Sequence, residues 1–262
     1  MSNFASLMEF IDTHTHISDE AFAGEEEDVI RRGHEAGVSI MIQPDIDSSE
    51  RDAMFALVDR HPGELYAMLG LYPGSVTEDW EKEIERMLEY RDRPVVAIGE
   101  IGLDYHYGAD TAPLQRKALR VQFELAAQMG LPVNIHLREA TEDFLAIVRE
   151  CSHLGLRGNL HAYSGSYETF MQLQKYGDWR VGIGGVVTFK KASLAEVVRK
   201  IPLERILLET DAPYLTPVPY RGTRNESRHI PVIAQKIAEI KGVGIEEVAE
   251  VTTRNARSQF AI

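Results

Sequence analysis

The sequence predicts an α/β chain folded as a single (β/α)8 barrel, and three observations carry that prediction. Eight short apolar runs recur along the chain, each is followed by a segment of helical periodicity, and no linker-like stretch divides the 262 residues. The runs fall at 9–16, 39–45, 65–73, 95–102, 131–138, 157–164, 180–187 and 205–213. Their near-continuous apolar character suits strands of a parallel sheet buried on both faces.

The intervening segments run from EEEDVIRRGHEAG (25–37) through APLQRKALRVQFELAAQMG (112–130) to IEEVAEVTTRNARSQF (245–260). Most carry apolar residues at helical spacing, and several end near glycine. Because a closed barrel commonly takes about 250 residues as one domain, residues 1–262 are expected to form one domain rather than two. A doubly wound open sheet is the alternative, but it binds phosphate through a glycine-rich first turn. THISDEAF (15–22) is not such a turn, and GIGG (182–185) comes late, inside an apolar run.

Apolar content of 44% and charged content of 26% describe an ordinary globular chain and exclude disorder. The net charge of −13 repels polyanions, which excludes a protein that coats nucleic acid by bulk electrostatics but permits a local cationic site. No basic leader and no membrane-length apolar run is present, so a cytoplasmic protein with no membrane partner is expected. No protein partner is predicted, and the single Cys151 is expected to be a small packing residue.

The stretch FIDTHTHISD (10–19) places Asp12, His14 and His16 at alternate positions, on one face if it is a strand. His14 and His16 then close the first strand, Glu100 lies near the end of the fourth, His136 ends the fifth, His161 the sixth and Asp211 the eighth. The carboxyl ends of barrel strands converge on one face, where active sites are built, so these six residues become neighbours. Four imidazoles and two carboxylates suffice for two divalent cations with one carboxylate shared. Paired cations activate water for a displacement, so hydrolysis is the expected chemistry.

The remaining histidines lack this placement. His34, His61, His153 and His229 are expected to be surface or capping groups, while His106 lies close enough to a strand end to reach the mouth of the site. Arg138, Lys190, Lys191, Arg221, Arg224 and Arg228 follow strand ends and are candidates for a cationic mouth.

These motifs resemble the TatD family of metal-dependent deoxyribonucleases, within the amidohydrolase superfamily. The likeness runs in order through DTHTHI (12–17), GLYP (70–73), GEIGLDYH (99–106), NIHLR (134–138), HAYSG (161–165), ETDAPYL (209–215), RGTRNES (221–227) and TTRNA (252–256). The resemblance implies a barrel that hydrolyses phosphodiester bonds at single-stranded DNA ends, with magnesium or a similar ion. It assigns His14, His16, Glu100 and Asp211 to one metal ion and Glu100, His136 and His161 to the other. Glu100 is the bridge, Asp211 is also the base or acid acting on the water, and Asp12 orients a ligand imidazole. Tyr72, Arg138, Arg221 and Arg224 are the expected substrate contacts.

The chain departs from the family pattern in three places. Tyr72 stands where the pattern has histidine, Ser227 where proline is usual, and HAYSG where HCFTG or HCFSG is common. A phenol donates a hydrogen bond but carries no positive charge, which points to weaker activity or a different substrate. Imidazole-rich sets favour Zn²⁺ or Mn²⁺, whereas the family suggests Mg²⁺. The competing functions are a deacylase or esterase acting on a small or tRNA-linked substrate, and a barrel that binds metal without catalysis.

Overall fold

The computed structural model describes residues 8–190 and 193–262. Its eight strands are β1 (Phe10–Asp12), β2 (Val38–Gln43), β3 (Leu65–Leu69), β4 (Val95–Asp104), β5 (Val133–Arg138), β6 (Arg157–Leu160), β7 (Asp178–Ile183) and β8 (Ile206–Leu208). They pair in parallel in the order β1 to β8. The ring closes through Thr13 N–H to Leu208 O (3.0 Å), Asp211 N–H to His14 O (2.9 Å) and His16 N–H to Ala212 O (2.8 Å). The (β/α)8 barrel expected from the sequence is present.

The helices are α1 (Glu26–Glu35), α2 (Arg51–Arg60), α3 (Trp80–Leu88), α4 (Ala112–Met129), α5 (Thr141–Glu150), α6 (Tyr167–Leu173), α7 (Leu194–Lys200), α8 (Ile230–Lys241) and α9 (Ile245–Phe260). Gly130 and Gly242, both at positive φ, end α4 and α8 where no other residue would sit without strain. The larger core lies between sheet and helices. A second cluster gathers Ile11, Ile40, Ile42, Met68, Val96 and Leu207 from alternate strand positions with Ala256 and Phe260 of α9. The last helix thus plugs one end of the barrel, and Asn255 Nδ2 ties it to the Leu203 and Ile206 carbonyls.

Every strand starts within two residues of its expected start, but most end earlier. His14, His16, His161 and Asp211 therefore lie just past the strands rather than closing them. The reason is in the backbone: at residues 13–16 the chain leaves the regular ladder and bonds across the β1–β8 seam, with Thr15 paired to Ala212. No described helix is long and apolar enough to cross a membrane.

Candidate active site

β4 sets the centre. Its ladder with β5 is irregular between Ile98 and Ile101, which turns Glu100 toward the middle of the carboxyl-end face. Glycines make this possible: a Cβ on Gly99 would stand 2.6 Å from Asn134 Cβ, and one on Gly102 would stand 1.9 Å from the His136 carbonyl oxygen. On the β2 side, Glu100 N–H bonds to Asp45 O (3.0 Å) and Asp45 N–H to Gly99 O (3.1 Å).

The two oxygens of Glu100 face different donors. Oε2 lies 3.3 Å from His14 Nε2 and 3.9 Å from His16 Nε2, while Oε1 lies 2.9 Å from His136 Nδ1 and 2.8 Å from His161 Nε2. The first set is completed by Asp211 Oδ1, 3.6 and 3.5 Å from the His14 and His16 Nε2 atoms, which are 3.2 Å apart. In the second, His136 Nδ1 and His161 Nε2 are 3.2 Å apart. Donors around one ion at about 2.1 Å stand about 3.4 Å apart in a tetrahedron and about 3.0 Å in an octahedron. Both sets are spaced to hold a cation, and His14 also lies near Glu100 and His161, its ring stacked 3.9 Å from the His161 ring.

The imidazoles are oriented from outside. His14 Nδ1 bonds to Asn134 Oδ1 (3.0 Å), which leaves its Nε2 lone pair for the site. His136 Nε2 bonds to Asp104 Oδ2 (2.9 Å), which leaves Nδ1 facing Glu100. Burial and the neighbouring His161 hold the His14 imidazole down to about 4. Burial pulls His136 down too, but the Asp104 and Glu100 carboxylates outweigh it and raise that imidazole to about 9. Glu100 and Asp211 are pulled up by burial, yet the surrounding histidines hold both below the usual carboxylate range.

Asp12 bonds to no imidazole ring and reaches His14 only through its backbone N–H. Its carboxylate accepts the Thr210 and Ser227 hydroxyls (2.6 and 2.7 Å) and the Thr210 and His14 backbone N–H groups (3.0 and 3.3 Å). It ties β1 to the segment after β8, and Ser227, the residue replacing proline, supplies one of those donors. Asn134 performs the orienting task instead.

The basic candidates divide. Arg138 and Arg221 stack on Tyr107 and Phe189, 4.7 and 4.2 Å from the ring centroids. Arg224 is not free for substrate: its guanidinium bonds to Ala21 O, Glu25 and Glu226 and packs on Phe22, so it fastens the loop after β8 to the loop before α1. Arg228 pairs with Glu226, and Lys191 lies outside the described residues. His106 turns to Glu139 (2.7 Å), away from the donor sets. His229 is buried rather than exposed, stacked on Tyr220 and bonded to Asn225, because the loop after β8 folds over it.

A cavity of about 280 Å³ opens over Glu100, His16, His136, His161 and Asp211. Tyr72, edge-on to His136 with ring centroids 5.1 Å apart, forms part of its wall. Asp19, Ile46, Glu50 and Tyr214 also line it, and the sequence singles out none of them. Nor does it single out Asp104, although Glu100 and Asp104 share a strand face by i, i+4 alternation. Glu209 is likewise hidden: fully buried, it accepts the Ala162 N–H beside His161, and burial raises its carboxyl well above the usual range. The first glycine of GIGG is explained by this packing, since a Cβ on Gly182 would fall 1.8 Å from Glu209 Oε2, while one on Gly185 would meet the Leu215 carbonyl oxygen.

A (β/α)8 barrel with imidazoles and carboxylates gathered at the carboxyl ends of its strands has the construction of a metal-dependent hydrolase. A family model described as TatD related DNase matches residues 11–261. The chain is 36% identical over 253 residues to the metal-dependent hydrolase YabD of Bacillus subtilis, covering 96% of this chain and 98% of that protein. It is 33% identical over 260 residues to the 3'-5' ssDNA/RNA exonuclease TatD of Pantoea ananatis, covering 96% and 99%. The crystal structure of YjjV, a TatD homologue from Escherichia coli K12, matches with a TM-score of 0.88 at 28% identity, covering 98% and 99%. The chain belongs to the TatD family of metal-dependent hydrolases.

Proposed function

We propose that this hydrolase is a phosphodiesterase acting on single-stranded DNA ends with two divalent ions, one on each side of Glu100. The observation that carries this reading is the division of the Glu100 oxygens between two donor sets. His14, His16 and Asp211 would hold one ion with Oε2, and His136 and His161 the other with Oε1. Imidazole-rich sets suit Mn²⁺ or Zn²⁺ better than Mg²⁺. Such ions, when bound, activate water and neutralise charge on a phosphate.

The chain's own groups do the rest. Asp211, kept ionised by the histidines around it, takes the proton of the attacking water in this reading. The Tyr72 phenol, pushed up by burial and by Glu100, stays protonated and donates to a phosphate oxygen. Arg138 supplies positive charge at the mouth. The name of the Pantoea relative supports a nucleic-acid substrate.

The test is shortening of 3'- and 5'-labelled oligonucleotides by metal-stripped protein resupplied with Mg²⁺, Mn²⁺ or Zn²⁺. The control is a His16→Ala, Asp211→Asn double variant. Metal-dependent shortening that the control lacks is expected; no shortening by folded, ion-loaded protein would overturn the reading. A second reading, hydrolysis of a carboxylic ester or amide, is favoured by Asp19 and Glu50 in the cavity wall, which suit a less anionic substrate. Turnover of a chromogenic acyl ester without a phosphate diester would select it.

A further inference from the structure

A second cleft of about 280 Å³ lies between the loops after β5 and β6, lined by Arg138, Glu139, Thr141, His161, Tyr163 and Ser164, with the Glu139 carboxylate turned to His106 Nδ1 (2.7 Å). His161 also lines the central cavity, so the two spaces meet at one of the donor residues. Beside Arg138 stands Tyr107, whose side chain is the most exposed large apolar group among the described residues at 77%. Its ring is nonetheless held. The Arg138 guanidinium packs 4.7 Å from its centroid, and the His106 ring meets it edge-on at 4.5 Å. Asp104 Oδ1 accepts the His106 and Tyr107 backbone N–H groups (2.9 and 3.1 Å). The other oxygen of the same carboxylate holds His136. One residue therefore fixes the spacing between an exposed aromatic ring and the reacting centre.

We propose that this cleft takes the backbone of the nucleotide adjoining the scissile phosphate, facing Arg138, while its base stacks outside the cleft on the neighbouring exposed ring of Tyr107. The inference rests on the phosphodiesterase reading above. An aromatic face beside a guanidinium is the pairing that single-stranded nucleic acid uses, since every base offers a π-face and every link an anion. Charge selects the direction. The wall carrying Asp19 and Glu50 belongs to the loops after β1 and β2, across the barrel from β5. In a chain of net charge −13 an anionic strand is repelled there and admitted past Arg138.

The test compares wild type, Tyr107→Leu and Tyr107→Phe on bis(p-nitrophenyl) phosphate and on single-stranded dT8. Binding of fluorescein-labelled dT8 to the metal-free proteins is followed by anisotropy. For Tyr107→Leu, the ratio of kcat/KM on dT8 to that on the small diester is expected to fall about tenfold, and dT8 binding to weaken about tenfold, with Phe restoring both. A ratio and a Kd within twofold of wild type in the Leu variant, while wild type cleaves both substrates, would overturn the cleft assignment alone. Wild type that cleaves neither diester would remove the phosphodiesterase reading itself.

Discussion

His14 and His136 stand on opposite sides of one carboxylate and are tuned in opposite directions, one held down to about 4 and the other raised to about 9. Both are largely buried, so burial alone does not separate them. Two things do: His161 pushes His14 further down, and the partner on the far nitrogen is a neutral amide for His14 but a carboxylate for His136. The β1–β8 set reaches neutral pH with the His14 lone pair available, while its other imidazole, His16, is pulled down by burial but raised overall by Asp211 and Glu100. The β5–β6 set must first release the His136 proton. One residue type thus gives two differently tuned imidazoles, and Asn134 and Asp104, which lie outside both donor sets, contribute to the difference beside His161 and Glu100.

The most drastic way to break the comparison is to remove the group both halves share. Glu100→Gln is expected to lower kcat by roughly 10³-fold and to reduce bound metal in both sets, checked by turnover and elemental analysis. Removing one half at a time should be selective. His16→Ala and His161→Ala are each expected to cut metal stoichiometry from two to one, read by titration calorimetry.

Asp104→Asn addresses the inequality itself. Loss of the carboxylate should lower the His136 pKa and weaken ion binding in that half by about 10- to 100-fold. Calorimetry at pH 7 in buffers of differing ionisation enthalpy should show about one proton released per ion bound there in wild type, and fewer in the variant. Unchanged proton release would mean that Asp104 does not set the His136 protonation.

The smallest effect concerns the fastening of β1. Asp12 is raised by burial from 3.8 to about 6 despite the donors around it. The folded protein therefore holds a proton that the unfolded chain releases first, and stability should fall as pH rises from about 4 to about 6. Asp12→Asn should flatten that part of the stability curve of the metal-free protein, measured by urea unfolding.

The convergence of His14, His16, Glu100, His136, His161 and Asp211 was legible because parallel strands of a barrel end on one face and side chains alternate along them. Strand starts were legible for the same reason. Strand ends were not, because the polar period continues past the hydrogen-bonded ladder into the seam, as at Thr13 to His16. Asn134 and Glu209 stayed hidden because their partners lie 120 and 47 residues away in sequence, and a buried polar residue in an apolar run gives no sign of what it bonds. Asp104 could have been found from its spacing to Glu100. The fate of Arg224 could not, since Glu25, which captures it, lies 199 residues away.

The proposal that two ions share Glu100 is most directly tested by a crystal structure of the Mn²⁺-loaded protein with anomalous data collected at the manganese edge. The expected result is two peaks about 3.5–4 Å apart, with one Glu100 oxygen on each. A single peak, or two peaks of which only one touches Glu100, would contradict the two-ion centre.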